Sequence, residues 1–565
     1  DAIREDIRKH NYGGAILYAQ NYKDAEQSLK LIADIQQTAV DSGSVPLIVG
    51  TDQEGGRVSR LGFGTSGVGN MALSATGNAE NAKKMAQIYG NELSLLGVNT
   101  DFAPVVDVND NPNNPVIGDR SFSDDPEIVS AYGIAYMEGL KDTGTIATLK
   151  HFPGHGNTDT DSHTGFPCIQ SSYEELKKSE LIPFQKAIDA GADMIMTDHI
   201  QYPEIEKQTY TSITTGEEVC LPATMSRTIL TDILRKDMGF EGVIVTDALD
   251  MASITENFET EDVIKLAINA GVDMLIYPSI TDTDIFRKTQ EMTETAVRLA
   301  EDGEIDAQRI DESVRRILTL KEKYGILDKK DFTVTEQQIE AAENGIGSQT
   351  SDEEVMKIAG EAVTVLKNDD DTLPISMAEG EKALILFSES SADSTANAEI
   401  AKKYLAEKNL IPEKAEITVS VNTAGNEEDC LKAAEEADHV ILVHKMLKAS
   451  NLDPSTDDGY SSGVFDKIIK ACHDKGKKVV LISCRLPYDA ARFTDADAVI
   501  LSYSTSAITE IPPEKGEGSA YIPSLPIAIE AAFGAVEAKG KLPVNIPEIG
   551  KDYKFTDKIL YERSN

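Results

Sequence analysis

The chain has 565 residues, 41 % of them hydrophobic, which is enough for about two or three domains with sizeable cores. Lys and Arg total 54 against 96 Asp and Glu, a formal net charge of −42 that repels phosphate backbones and anionic membranes and argues against nucleic acid or acidic lipid as partners. No stretch approaches the roughly eighteen unbroken apolar residues of a membrane span. The five cysteines, Cys168, Cys220, Cys430, Cys472 and Cys484, lie far apart with no C-x-x-C spacing, so neither a disulfide framework nor a zinc ribbon is indicated. The opening DAIREDIRKH has no Met and no signal peptide and reads as the inside of a helix, so a processed or truncated product is expected.

Along the first half, short apolar runs alternate with amphipathic stretches. The runs are GGAILY (13–18), VPLIVGTD (45–52), VNTDFAPVVD (98–107), IATLKHF (146–152), ADMIMTDH (192–199), GVIVTD (242–247) and VDMLIYP (272–278). Helical patterns between them include 79–97, 172–191 and 223–239, and 308–327 closes the series. Strand–helix alternation at this spacing predicts a parallel sheet. Each run tends to end in a polar residue, as the strands of a (β/α)8 TIM-type barrel do. The expectation is such a barrel over 1–327 with its first strand missing upstream, an open doubly wound sheet being the alternative. A polar connector follows at 328–350. Residues 351–565 carry the apolar runs 383–388, 439–446, 478–483 and 498–504 between helices, which predicts a smaller α/β (αβα) sandwich domain. The acidic segment ASNLDPSTDDGYSSG (449–463) reads as a mobile insertion.

The segment KHFPGHGNTDTDSH (150–163) holds three of the chain's eight histidines. His151 and His155 have the spacing of a helical metal site, but Pro153 and Gly154 break the helix that would align them. A metal site using His151, His155 and Asp161 therefore loses its geometric argument. Asp161 and His163, one residue apart, suit acid/base work, because a carboxylate beside an imidazole raises its basicity and selects its tautomer. They follow a strand on a long loop whose glycines would let it move. A nucleophile is offered by Asp247, at the tip of GVIVTD, where the bland alternative is a helix N-cap. Asp52, Lys150 and His151 also stand at strand ends, with turn capping or satisfied core groups as their plainer roles. Arg120 in GDRSF has the plainer role of an ion-pair partner. His155 reads as a loop anchor and His199 as a residue behind the site.

KHFPGHGNTDTDSH, together with VGTDQEGGRV (49–58), DFAPVVDVN (101–109), IGDRSF (117–122) and GVIVTDALDM (242–251), resembles glycoside hydrolase family 3, and within it the β-N-acetylglucosaminidases. AVTVLKNDDDTLPI (362–375) and GKLPVNIP (540–547) resemble its two-domain members. The resemblance implies an exo-acting, retaining enzyme on peptidoglycan- or chitin-derived glycans, with no cofactor and no metal. Asp247 would be the nucleophile, His163 the general acid/base and Asp161 its dyad partner. Asp52, Arg120, Lys150 and His151 would hold the sugar. β-Glucosidase-like branches take the acid/base carboxylate from the second domain and lack the G-H-G…D-x-H loop, so that loop favours N-acetylglucosaminides. A neutral imidazole repels anionic acceptors less than a carboxylate does, so a phosphorylase side activity is a further expectation. Three alternatives stay open: a β-glucosidase or β-xylosidase of the same family, a metal-dependent barrel hydrolase, and a non-catalytic wall-binding protein. A secreted or wall-associated bacterial location is favoured over a cytoplasmic one.

Overall fold

All seven apolar runs of the first half become strands that run parallel to their neighbours. In the computed structural model, which describes residues 2–159, 165–277, 285–388, 392–503 and 523–564, these are β1 (Gly14–Ile16), β2 (Ile48–Thr51), β3 (Thr100–Asp101), β4 (Ile146–Phe152) and β5 (Met194–Thr197). After a small hairpin of β6 (Thr209–Thr211) and β7 (Glu218–Cys220) come β8 (Val243–Ala248) and β9 (Met274–Ile276). Their spatial order is β1-β2-β3-β4-β5-β8-β9, so each barrel strand lies beside its predecessor and the sheet curls into a nearly closed barrel. Among the described residues the barrel sheet has seven strands. Every residue of β2 and β4 is buried, the signature of a parallel sheet covered on both faces. Ile48, Phe102, Ile146, Met194, Met196, Val243 and Val245 form the barrel core, and Leu320 of the helix Ala307–Lys323 packs into it.

The outer helices start where their sequences supply caps. The side chains of Asp24, Asp125 and Asp306 accept the N–H groups of Gln27, Glu127 and Gln308 at 2.7, 2.8 and 2.9 Å, each satisfying a donor the helix itself cannot pair. The pattern at 223–239 is not one regular helix: a 3₁₀ turn at Ala223–Met225 precedes a π-helix, Thr228–Asp237, closed by the Met238 N–H on the Ile233 carbonyl. Asp273, its side chain fully buried just before β9, is held by Arg235 (2.5 Å), Arg309 (2.7 Å), Arg316 (3.2 Å) and the Ser313 hydroxyl (2.7 Å), tying the last strand to two helices.

The chain divides into two compact units, the first comprising Asp1–Glu54, Lys83–Ile117 and Asp125–Ile346 and the second Gly55–Ala82, Gly118–Asp124 and Gly347–Asn565. The second is built on a six-stranded sheet of β10 (Thr364–Asn368), β11 (Lys382–Phe387), β12 (Glu416–Val421), β13 (His439–Met446), β14 (Val479–Arg485) and β15 (Ala498–Leu501), in the order β10-β15-β14-β13-β11-β12. Only β10 is antiparallel to its neighbour. Helices Gln349–Ala362, Ala392–Glu407 and Ser524–Ala532 form one packed group and Glu427–Glu436 with Tyr460–Asp474 another, giving the expected sandwich.

The segment 449–463 is not the mobile insertion its composition suggested. It is a 3₁₀ turn, Ala449–Leu452, followed by the start of the helix Tyr460–Asp474, and its side chains are spent on its own backbone. Asn451 accepts the Leu447 and Lys448 N–H groups, and the Ser462 hydroxyl donates to the Asn451 carbonyl. Ser462 also lies 3.4 Å from His444, whose other nitrogen meets Asp489 at 2.8 Å. That acid–imidazole–hydroxyl row is wholly buried and its hydroxyl hydrogen is already engaged, so it serves packing, not nucleophilic chemistry.

Candidate active site

The C-terminal ends of β2, β3, β4 and β8 bring Asp52, Asp107, Lys150, His151 and Asp247 into one neighbourhood. Two consecutive residues of β4 serve it because the pairing with β5 slips between Leu149 and Phe152, a bulge that re-aims side chains. Lys150 is 2 % exposed, and its ammonium sits 2.7 Å from Asp52 and 2.7 Å from Glu54. The barrel core thus accepts a lysine because two carboxylates neutralise it.

His151 is fixed by a residue the sequence reading did not single out. Asp107, fully buried at the end of the run 98–107, takes His151 Nδ1 at 2.7 Å on one oxygen. Its other oxygen accepts the N–H groups of His151 (3.1 Å) and His155 (2.8 Å). Burial alone would push this carboxyl up, yet the His151 and His155 contacts hold it below its ordinary value. The tendency of the apolar runs to end in a polar residue would have found Asp107, since VVD ends as VGTD and VTD do. Glu54 carried no such signal.

Asp247 does not cap a helix. One oxygen accepts the N–H of Ala248 at 2.7 Å, and the next helix, Ala252–Thr255, begins after Met251 with no side-chain cap. Its side chain keeps 26 % of its surface exposed, with His151 Nε2 4.0 Å away. Burial would raise its pKa, but the charges of His151 and His199, the Ala248 N–H and Lys150 outweigh it and hold the carboxyl below the usual range. Near neutral pH Asp247 is therefore an ionised, solvent-reachable carboxylate, as a nucleophile must be. His199 stands behind it, with Nε2 3.0 Å from the Ala248 carbonyl and Nδ1 2.8 Å from the Thr224 hydroxyl.

His155 is the anchor expected of it. Asn114 Nδ2 donates to the carbonyls of both His155 and Gly156, at 2.8 Å each. The two glycines of the G-H-G motif serve close packing where mobility was expected. A Cβ on Gly154 would stand 2.6 Å from the Cβ of Glu180, and one on Gly156 only 1.6 Å from the Val108 carbonyl oxygen. Asp161 and His163 lie outside the described residues. Arg120 belongs to the second unit, on the 3₁₀ turn Gly118–Arg120, where its carbonyl accepts Asn70 Nδ2 at 2.7 Å. Its neighbour Asp119 is the residue paired with Arg57 and Arg485, at 3.0 and 3.3 Å. Among the described residues no group of three His, Cys, Asp or Glu side chains is arranged to hold a metal ion, and no helix is long and apolar enough to cross a membrane.

The profile of the glycosyl hydrolase family 3 N-terminal domain matches residues 1–320. β-Hexosaminidase A of Pseudoalteromonas piscicida is 34 % identical over 568 aligned residues, spanning 96 % of this chain and 91 % of that protein. A β-hexosaminidase of Tolumonas auensis is 37 % identical over 277 residues, 48 % of this chain and 77 % of its own length. Among solved structures, a family 3 β-N-acetylglucosaminidase from Paenibacillus sp. FPU-7 superposes with a TM-score of 0.77 at 27 % identity, covering 96 % of this chain and 95 % of that one. A family match across more than half the chain and a relative aligned over nearly all of it lead to one assignment: this chain belongs to glycoside hydrolase family 3 and is a glycosidase.

Proposed function

We propose that the protein is an exo-acting, retaining β-N-acetylglucosaminidase that releases GlcNAc from peptidoglycan- or chitin-derived glycans. The observation that carries this reading is the ionised, part-exposed Asp247 at the end of β8, beside His151 and the Lys150–Asp52 pair. The names of its hexosaminidase relatives support the substrate class. Asp247 attacks the anomeric carbon and forms a glycosyl ester, and water then cleaves that ester with configuration retained. His163, oriented by Asp161, gives its proton to the leaving oxygen and recovers one from the attacking water. Asp52, Lys150 and His151 hold the sugar's hydroxyl and N-acetyl groups. Lys150, already paired twice, contributes direction as much as charge.

The test is hydrolysis of aryl β-N-acetylglucosaminide beside aryl β-glucoside by the parent protein and Asp247→Ala, with EDTA throughout. Fast release from the N-acetyl substrate, abolished by the substitution and indifferent to EDTA, is the expected result. A preference for the glucoside would sink the substrate assignment while leaving the nucleophile. Phosphate buffer in the same assay tests the phosphorylase side activity: GlcNAc 1-phosphate in excess over GlcNAc supports it, and none removes it.

A further inference from the structure

Behind the site, a buried tyrosine makes two hydrogen bonds that a single hydroxyl hydrogen cannot both supply. The Tyr202 hydroxyl oxygen lies 2.8 Å from the Gly154 carbonyl oxygen and 2.8 Å from Asp198 Oδ2. A carbonyl only accepts, so in a hydrogen bond with Gly154 the phenol must supply its one hydrogen. The contact with Asp198 is then a hydrogen bond only if the carboxyl brings its own hydrogen. The other carboxyl oxygen is an ordinary acceptor, taking the Ile200 N–H at 3.2 Å. Asp198 and Tyr202 are 1 % and 0 % exposed, and among the described residues no lysine, arginine or histidine pairs with Asp198.

We propose that Asp198 is held as a neutral carboxylic acid which, through the Tyr202 hydroxyl, fixes the Gly154 carbonyl where the chain leaves β4, making Asp198 and Tyr202 positioning residues for His151. The relay runs from the acid hydrogen to the phenol oxygen and from the phenol hydrogen to the carbonyl. Gly154 lies three residues beyond His151, and the Asp198 N–H also grips the Phe152 carbonyl at 2.9 Å. The same short stretch is thus clamped from β5 on one side and by Asp107, through the His151 and His155 N–H groups, on the other.

The surroundings favour the neutral form. Burial pushes the Asp198 carboxyl well up, and the nearby Asp107 adds to it; the Ile200 and Gly154 N–H groups pull the other way without offsetting burial. From the helix Leu181–Asp189, the preceding Glu180 packs against Gly154 and is itself raised to about 7, by burial and then by Asp110. The titratable groups around the clamp are therefore Asp107, Asp110, Glu180, Tyr202 and His155, mostly acidic, and an ionised Asp198 would add a further negative charge to them.

Asn is the isostere of a protonated Asp, its amide able to donate to Tyr202 while its oxygen accepts from Ile200. The inference predicts that Asp198→Asn keeps the parental kcat and melting temperature. Asp198→Ala and Tyr202→Phe each lower kcat by about tenfold with little change in KM, the penalty expected when a reacting group is slightly misplaced. If Asp198→Asn falls as far as Asp198→Ala in activity and stability, the carboxyl is ionised and the relay is overturned. If Asp198→Ala and Tyr202→Phe both keep the parental kcat, the positioning role is overturned. The kinetic arm rests on the glycosidase reading alone and uses whichever aryl glycoside the parent cleaves, so a wrong substrate class leaves it intact. The comparison of melting temperatures decides the protonation state independently of any activity.

Discussion

Asp107 Oδ2 meets His151 Nδ1 at 2.7 Å and leaves His151 Nε2 facing Asp247 at 4.0 Å. The buried carboxylate thereby chooses which ring nitrogen carries the inward hydrogen and which one faces the reacting centre. Asp107→Ala frees the imidazole to turn. We expect kcat for the aryl glycoside to fall by about 10²-fold with far-UV circular dichroism unchanged. An unchanged kcat would remove Asp107 from the site.

Lys150 is buried between Asp52 and Glu54, so removing its charge strands two carboxylates in the barrel. Lys150→Met is expected to lower stability by about 3–5 kcal/mol, as breaking a buried pair does. Urea unfolding measures it, and the double variant Lys150→Met/Glu54→Gln should recover part of the loss.

The acid limb of the kcat/KM profile reports Asp247. Its carboxyl sits below the usual range because His151, His199, the Ala248 N–H and Lys150 outweigh burial. His199→Gln removes one of those charges, so the acid limb moves to higher pH. Activity then falls more at pH 4 than at pH 7. A profile that does not move would show that His199 contributes no charge to the nucleophile.

Glu180 makes an opposite pH prediction, for stability. Burial raises its carboxyl from 4.5 to about 7 in the folded chain. An acid raised on folding favours the neutral native state, so its contribution is fully present below pH 4.5 and is lost as pH climbs through about 7. Glu180 is 3 % exposed, and the shift corresponds to roughly 3 kcal/mol as an order of magnitude. Glu180→Gln should therefore melt higher than the parent at pH 8 and close to it at pH 4.5. Equal pH dependence in the two proteins would place the titration elsewhere.

The barrel was legible in the sequence because its physics is local. Seven parallel strands write themselves as seven apolar runs, and the polar residues that tend to end those runs mark the face on which a site assembles. Asp52, Lys150, His151 and Asp247 were readable for that reason. What escaped depends on neighbours distant in sequence. Asp107 looks like any loop aspartate until His151, 44 residues later, turns its ring toward it. The glycines of the G-H-G motif read as freedom, when Glu180 and the Val108 carbonyl leave no room for a side chain. The Asp- and Ser-rich segment at 449–463 read as a mobile insertion because composition cannot show that its polar groups cap its own turn.

The second unit draws Gly55–Ala82 and Gly118–Asp124 from the first half of the chain, so the polypeptide passes between the units at 54/55, 82/83, 117/118, 124/125 and 346/347. Ser123 donates to the carbonyl of Pro543, and Asp124 pairs with Arg563. A ribosome making this protein therefore releases the Ser123–Asp124 turn hundreds of residues before Pro543 and Arg563 exist. That turn waits until the last residues are translated. Neither unit can be cut out as a continuous fragment, and a gene truncated after Ile346 would still encode the second unit's Gly55–Ala82 and Gly118–Asp124.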